Sequence, residues 1–212
     1  MVKRHVRVYV EGGAEGKTAD SDFRRGWKKF LAELHEIAKV NGYHSLEVVR
    51  GKGRGNAFHH FKTHMKECPD DLCVLLADSE TEVPEGTSVW DVVAQREGDK
   101  WQRPSWASER HLYLMVVFVE TWLLTDPDAL QKFFKKDFDA RPLQTTNLEE
   151  RSKDDVERAL IQATKKCKNG PYRHGQAHEI IEIVRPERVR TLRHGLRLFE
   201  ELGNLIKNQS EI

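Results

Sequence analysis

Three short apolar runs in this chain each close on a carboxylate, and that arrangement restricts the fold more than any other feature. They are V-R-V-Y-V before Glu11, L-C-V-L-L-A before Asp78, and H-L-Y-L-M-V-V-F-V before Glu120. The first alternates apolar and polar residues, as a half-buried strand does, and the other two are long enough only for buried strands. Spacing places strands at Val2–Val10, Leu46–Val49, Asp71–Ala77 and His111–Val119. A helix is expected between the first two, from about Thr18 to Val40, because Phe23, Trp27, Phe30, Leu31, Leu34 and Ala38 recur at three- and four-residue intervals. A second helix is expected from Asn56 to Cys68, stopped by Pro69. Strands alternating with helices imply an α/β fold with a mostly parallel sheet flanked by helices. Beyond Asp126-Pro127 only helical spacing remains, over Asp128–Phe134, Leu148–Lys166, Gln176–Ile183 and Pro186–Leu205. The expected organisation is an α/β core over residues 1–135 and a helical C-terminal extension over 136–212, packed as one compact unit.

Several classes are excluded at this stage. A hydrophobic content of 38% with 33% charged residues suits neither a disordered chain nor a membrane protein. No run approaches the roughly 18 apolar residues of a spanning helix. The basic start, M-V-K-R-H, leads into a strand pattern rather than a secretory apolar segment. Three cysteines, Cys68, Cys73 and Cys167, lack the spacing of a metal-binding motif and do not form a disulfide framework. The expectation is a cytoplasmic protein with no membrane contact. Net charge is +1, so no global polycation advertises nucleic acid, although K-K-C-K-N-G-P-Y-R-H and R-P-E-R-V-R-T-L-R-H are basic and Asp78–Asp91 is acidic.

In an open α/β sheet, ligands bind beyond the carboxyl ends of the strands. If the three acid-tipped strands are neighbours, Glu11, Asp78, Glu80 and Glu120 converge. Carboxylates so close repel unless they share protons or a cation, and hard oxygen donors suit Mg²⁺ or Mn²⁺. Glu15, four residues after Glu11 in a glycine-rich turn, joins that candidate metal set. Taken singly, each acid is equally well explained by a favourable position at a helix start.

The order V-E-G, helix, two further β-elements, then a strand ending in the acid pair of L-L-A-D-S-E resembles the Toprim domain. That domain occurs in type IA and II topoisomerases, primases, small ribonucleases and the OLD-family nucleases of phage defence. V-E-G-G-A-E, with its second glutamate, resembles the OLD type, and D-S-E departs from the commoner D-x-D by a glutamate in second place. V-F-V-E-T-W-L-L-T-D and Y-R-H-G-Q-A-H followed by R-P-E-R-V resemble blocks of small stand-alone Toprim-like bacterial proteins, often encoded beside ATPase genes. The resemblance implies a Mg²⁺-dependent nuclease acting on DNA or RNA, serving as the effector of an ATPase-partnered defence system. Catalysis would rest on Glu11, Asp78, Glu80 and His174, with Lys52, Arg54, Lys168 and Arg173 contacting nucleic acid. Partners would be nucleic acid and an ATPase protein, with self-association left open. Two alternatives stand beside it. One is a regulatory subunit without catalysis. The other is a nucleotide-binding protein using Gly12–Thr18, a near-miss of G-x-x-x-x-G-K-[ST] in which Glu11 occupies the first glycine place and sets a negative charge against the phosphates.

Other residues offer weaker signals. Gly51–Gly55, G-K-G-R-G, is a basic loop suited to a phosphate backbone. His60 and His64 share a helix face, but a solvated face explains them more simply. Trp90, Trp101 and Trp106 lie in a polar stretch, where packing over the sheet edge is preferred to base stacking.

Overall fold

Alternation in the first strand is realised as β1, His5–Val10, in which Val6, Val8 and Val10 are buried. The structure, a computed structural model, describes residues 3–12 and 17–208, with residues 17–19 described by backbone alone. Three further strands follow: β2 at Ser45–Arg50, β3 at Leu72–Asp78 and β4 at Leu112–Met115. They form one sheet in the order β2-β1-β3-β4, parallel at every pairing. β3 is buried from Leu72 to Ala77, as a strand covered on both faces must be. The protein is therefore α/β with an all-parallel sheet flanked by helices.

The helices are α1 at Lys17–Phe30, α2 at Ala32–Val40, α3 at Arg54–Glu67, α4 at Val89–Gln95, α5 at Val119–Leu124 and α6 at Pro127–Phe134. The later ones are α7 at Lys153–Thr164, α8 at Ala177–Ile180, α9 at Pro186–Val189 and α10 at Arg193–Asn208. The single helix expected up to Val40 is two, interrupted at Leu31, while one apolar stripe from Phe23 through Ala38 stays buried across the break. Gly26 sits in α1 because α8 crosses it closely: a Cβ there would lie 2.3 Å from the carbonyl oxygen of His178. The stretch expected as one helix over Leu148–Lys166 is a 3-10 turn, Leu148–Glu150, followed by α7, and the one expected from Pro186 is divided between α9 and α10.

The fourth strand needs a larger correction. An expected strand from His111 to Val119 shrinks to four residues, and Glu120 stands in the first turn of α5 rather than at a strand tip. Val116, Val117, Phe118 and Val119 are all buried, so the apolar run reported burial and not extended pairing. Side chains take over the backbone hydrogen bonds that a longer strand would have made. Thr121 Oγ1 accepts from the Val117 N–H at 3.2 Å, and Asp78 Oδ1 accepts from the Val119 N–H at 3.1 Å.

Residues from both expected segments share one buried cluster. Phe199 of α10 packs edge-on against Phe30 of α1, with ring centres 5.5 Å apart. Fully buried Asp126 caps α6 and accepts from the Arg185 backbone N–H at 3.0 Å and from its Nε at 2.8 Å, which ties the later segment to the core. Trp90 and Trp101 are buried, and Trp101 stacks on Phe58 at 4.7 Å; Trp106 is 38% exposed and lies against Phe61. Among the described residues, no helix is long and apolar enough to cross a membrane.

Candidate metal centre

Strand order decides where the site lies. From β1 the chain moves to β2 on one side, then returns to place β3 on the other, so β1 and β3 flank the point where the winding reverses. Crevices form at such points because the two connections leave in opposite directions. Glu11 follows β1 and Asp78 ends β3, side by side: Val10 is level with Leu76, and the Glu11 N–H donates to the Leu76 carbonyl at 2.9 Å. Glu80 lies two residues past Asp78 with φ +71°, a left-handed conformation that costs a non-glycine residue about 1 kcal/mol or more. Its N–H is held by the Val117 carbonyl at 2.9 Å. Oxygen atoms of Glu11, Asp78 and Glu80 lie within 4.8 Å of one another.

Basic side chains answer this concentration of charge. Arg54, at the start of α3, places Nε 3.1 Å from Glu11 Oε1 and Nη2 2.9 Å from Glu80 Oε1. Arg96, whose side chain is almost wholly buried, places Nη1 3.2 Å from Glu11 Oε2 and donates to the Asp78 carbonyl. Both arginines also bind Asp99, at 3.1 and 2.6 Å, and the Lys153 ammonium pairs with Glu80. Among the described residues no cation forms an ion pair with the Asp78 carboxylate, although the charge of Lys153 acts on it. Burial pushes its carboxyl well above the usual range, and the nearby charges of Glu11 and Glu120 push further. Burial also raises Glu11, against the lowering influence of Arg96 and Arg54. A cleft of about 890 Å³ opens beside the cluster, lined by Arg54, Ser79, Glu80, Glu82 and Arg96.

Glu120 does not belong to that trio. It is fully buried, and its Oε1 accepts from the Tyr172 hydroxyl at 2.7 Å and is hydrogen-bonded by His174 Nδ1, while Oε2 has no hydrogen-bond partner among the described residues. The hydrogen bond to Glu120 raises the pKa of His174, whose ring otherwise stands mostly in solvent. Glu120 acts on Asp78 and Lys153 acts on both Asp78 and His174, so this acid–imidazole pair borders the carboxylate cluster. His178, by contrast, turns inward and accepts from the Trp27 indole at 3.3 Å.

The sequence-derived residues thus divide. Glu11, Asp78 and Glu80 meet; Glu120 meets His174 alongside; Glu15 lies outside the described residues, as does most of the Gly12–Thr18 loop. Arg54 is drawn into the cluster. Lys52 is exposed near Asp20 at 3.6 Å, and Lys168 and Arg173 are exposed, Arg173 beside His174. Arg96, Asp99, Lys153 and Tyr172 were not singled out by sequence. Chain spacing does not single them out as site residues, since each reaches the site from a distant segment; Tyr172 lies in the same Y-R-H-G block as His174 and was the most accessible of the four.

The donor set fits a hard divalent cation. Three closely grouped carboxylates provide oxygen ligands only, and burial raises two of them, Asp78 and Glu11, as expected where a cation is needed to offset charge. A family model described as "Domain of unknown function (DUF4276)" matches residues 10–202. No curated protein and no solved structure matches the chain.

Proposed function

The chain belongs to the DUF4276 family of unknown function, and we propose that it is a divalent-cation-dependent nuclease whose centre is Glu11, Asp78 and Glu80. The observation that carries this reading is the meeting of those three acids at the reversal point of a parallel sheet, within 4.8 Å of one another. Glu11, Asp78 and Glu80 would hold Mg²⁺ or Mn²⁺, which would supply Lewis-acid stabilisation of the charge that develops on a phosphate. The chain's own groups do the rest. Arg54, released from Glu11 and Glu80, turns its guanidinium to the phosphate oxygens. His174, held protonated by Glu120, donates a proton to the leaving oxygen, and Tyr172 fixes the Glu120 carboxylate that orients the ring. Lys168, Arg173 and Lys52 are exposed and would meet the nucleic-acid backbone, Lys52 by exchanging its contact with Asp20 for a phosphate.

A second reading is a protein inactive alone and switched on by an ATPase partner, the association that the Toprim resemblance implies for phage defence. The ion pairs of Arg54, Arg96 and Lys153 with the carboxylates favour it, because those cations hold the oxygens that a metal needs. A regulatory subunit with no catalysis would keep the same fold and tolerate loss of the acids.

The test is cleavage of single- and double-stranded DNA and RNA with Mg²⁺ or Mn²⁺, alone and with the partner ATPase. Glu11→Gln and Asp78→Asn are expected to abolish it. Cleavage that persists in both variants, or in excess chelator, overturns the proposal.

A further inference from the structure

β3 has an acid at each end, and the end away from the carboxylate centre carries its own cluster. Asp71 precedes the strand as Asp78 closes it; seven residues at about 3.3 Å each set the two roughly 23 Å apart. At the Asp71 end, α3 terminates in a turn that the backbone builds tightly. The Cys68 N–H donates to the His64 carbonyl at 2.8 Å, and the Asp71 N–H donates to the Cys68 carbonyl at 3.1 Å. His64 and Cys68 are four residues apart and share a helix face, and the turn folds Asp71 back toward both. One ligand atom from each of the three lies within 4.8 Å of the others, with His64 Nε2 2.9 Å from Asp71 Oδ2.

We infer that His64, Cys68 and Asp71 form a second metal site, selective for zinc-like ions and independent of the carboxylate centre. A thiolate and an imidazole are the donors that borderline-soft cations prefer and Mg²⁺ does not, so the two ends of one strand differ in chemical class. Asp71 is already fixed for the role. Its Oδ1 accepts from the His5 N–H at 2.7 Å and its Oδ2 from Arg7 Nε at 2.9 Å, the outer hydrogen bonding that holds a ligating carboxylate in place. Arg7 in turn pairs with Glu47, which offsets its positive charge. The C-terminal end of a fourteen-residue helix adds a favourable negative potential. On binding, the Cys68 thiol loses its proton to solvent, and the His64 proton resides on Nδ1 while Nε2 ligates. Three protein ligands leave the fourth tetrahedral position to water, reachable because Cys68 is exposed. The ion would clamp the end of α3 to the starts of β3 and β1.

Cobalt(II) tests the site directly, since a thiolate–cobalt bond gives a charge-transfer band that oxygen ligands do not. Full-length metal-free protein titrated with Co²⁺ is expected to show the band at one equivalent, to lose it when Zn²⁺ is added, and to keep it in excess Mg²⁺. Cys68→Ser and His64→Gln are expected to weaken Zn²⁺ binding by roughly tenfold or more, and Cys68→Ser to remove the band, with circular dichroism unchanged. The Glu11→Gln/Asp78→Asn protein is expected to keep the thiolate–cobalt band of the parent. Absence of the band in the parent, or its survival in Cys68→Ser, overturns the inference.

Discussion

Arg54 places its Nε 3.1 Å from the Oε1 of Glu11, an oxygen that a bound cation requires. The residue is a resident positive charge for the carboxylates. Its other nitrogens hold Glu80 and Asp99, so its withdrawal frees more than one ligand.

Replacing Arg54 by Gln is therefore expected to tighten Mn²⁺ binding in the isolated protein, by roughly three- to tenfold for the loss of one part-exposed competing charge. The same change is expected to lower cleavage by roughly a hundredfold, the usual consequence of losing a group that stabilises developing charge. Calorimetry and single-turnover cleavage read the two effects separately. Weaker metal binding in the variant would show that Arg54 supports the ligands rather than competing for them.

Asp78→Asn should make the metal-free protein more stable. Because burial raises the folded-state pKa of Asp78, the unfolded chain gives up that proton first, and stability declines as pH rises from about 4 through the raised value. An asparagine removes the ionisation and still offers an oxygen to the Val119 N–H. A gain of about 1–2 kcal/mol, or roughly 2–6 °C in Tm at neutral pH, is expected without metal. Added Mg²⁺ should stabilise the parent and leave the variant unmoved in thermal denaturation.

His174 sets the alkaline limb of activity if it is the proton donor. Its hydrogen bond to Glu120 raises its pKa, so the imidazolium persists above the usual 6.5 and is lost as pH rises through the raised value. Cleavage is expected to fall across that interval. Glu120→Gln should move the fall toward lower pH, and His174→Ala should cost roughly 10²- to 10⁴-fold in rate. A pH–rate profile that Glu120→Gln leaves in place would remove His174 from the acid role.

Two interior histidines make the fold acid-sensitive. Burial lowers both His178 and His194 to about 4, and nearby arginines, Arg50 for the first and Arg193 for the second, add to the lowering. The unfolded chain binds these protons near pH 6.5, so the stability that both contribute is complete above that value and is lost as pH falls toward 4. Urea denaturation between pH 7 and 4.5 should show the decline, and His178→Gln with His194→Asn should flatten it.

Much of the site was legible from residue order. Glu11, Asp78 and Glu80 follow apolar strands, and parallel sheets place ligands beyond such ends, so three of the grouped acids could be named in advance. Glu120 was named for a reason that the fold does not support: the run before it is buried chain entering a helix, and apolarity alone cannot separate a strand from a buried loop. The helix break at Leu31 was hidden for the same reason, since the apolar stripe continues through it.

By itself the sequence determined the alternation of strands and helices in the α/β core and the acids that follow β1 and close β3, because period and side-chain chemistry are local properties. Only the tertiary structure decided the order β2-β1-β3-β4, which makes Glu11 and Asp78 neighbours, and the delivery of Arg96 to Glu11 and of Lys153 to Glu80 across 85 and 73 residues. Nothing in the spacing of their own segments marks those cations as partners of the acids, since they are drawn in by a charge that exists only once the strands have paired. Likewise His174 meets Glu120 across 54 residues, and His64 and Cys68 meet Asp71 only through the turn after α3. Electrostatic partners are chosen by distance in space, and spacing along the chain does not record it.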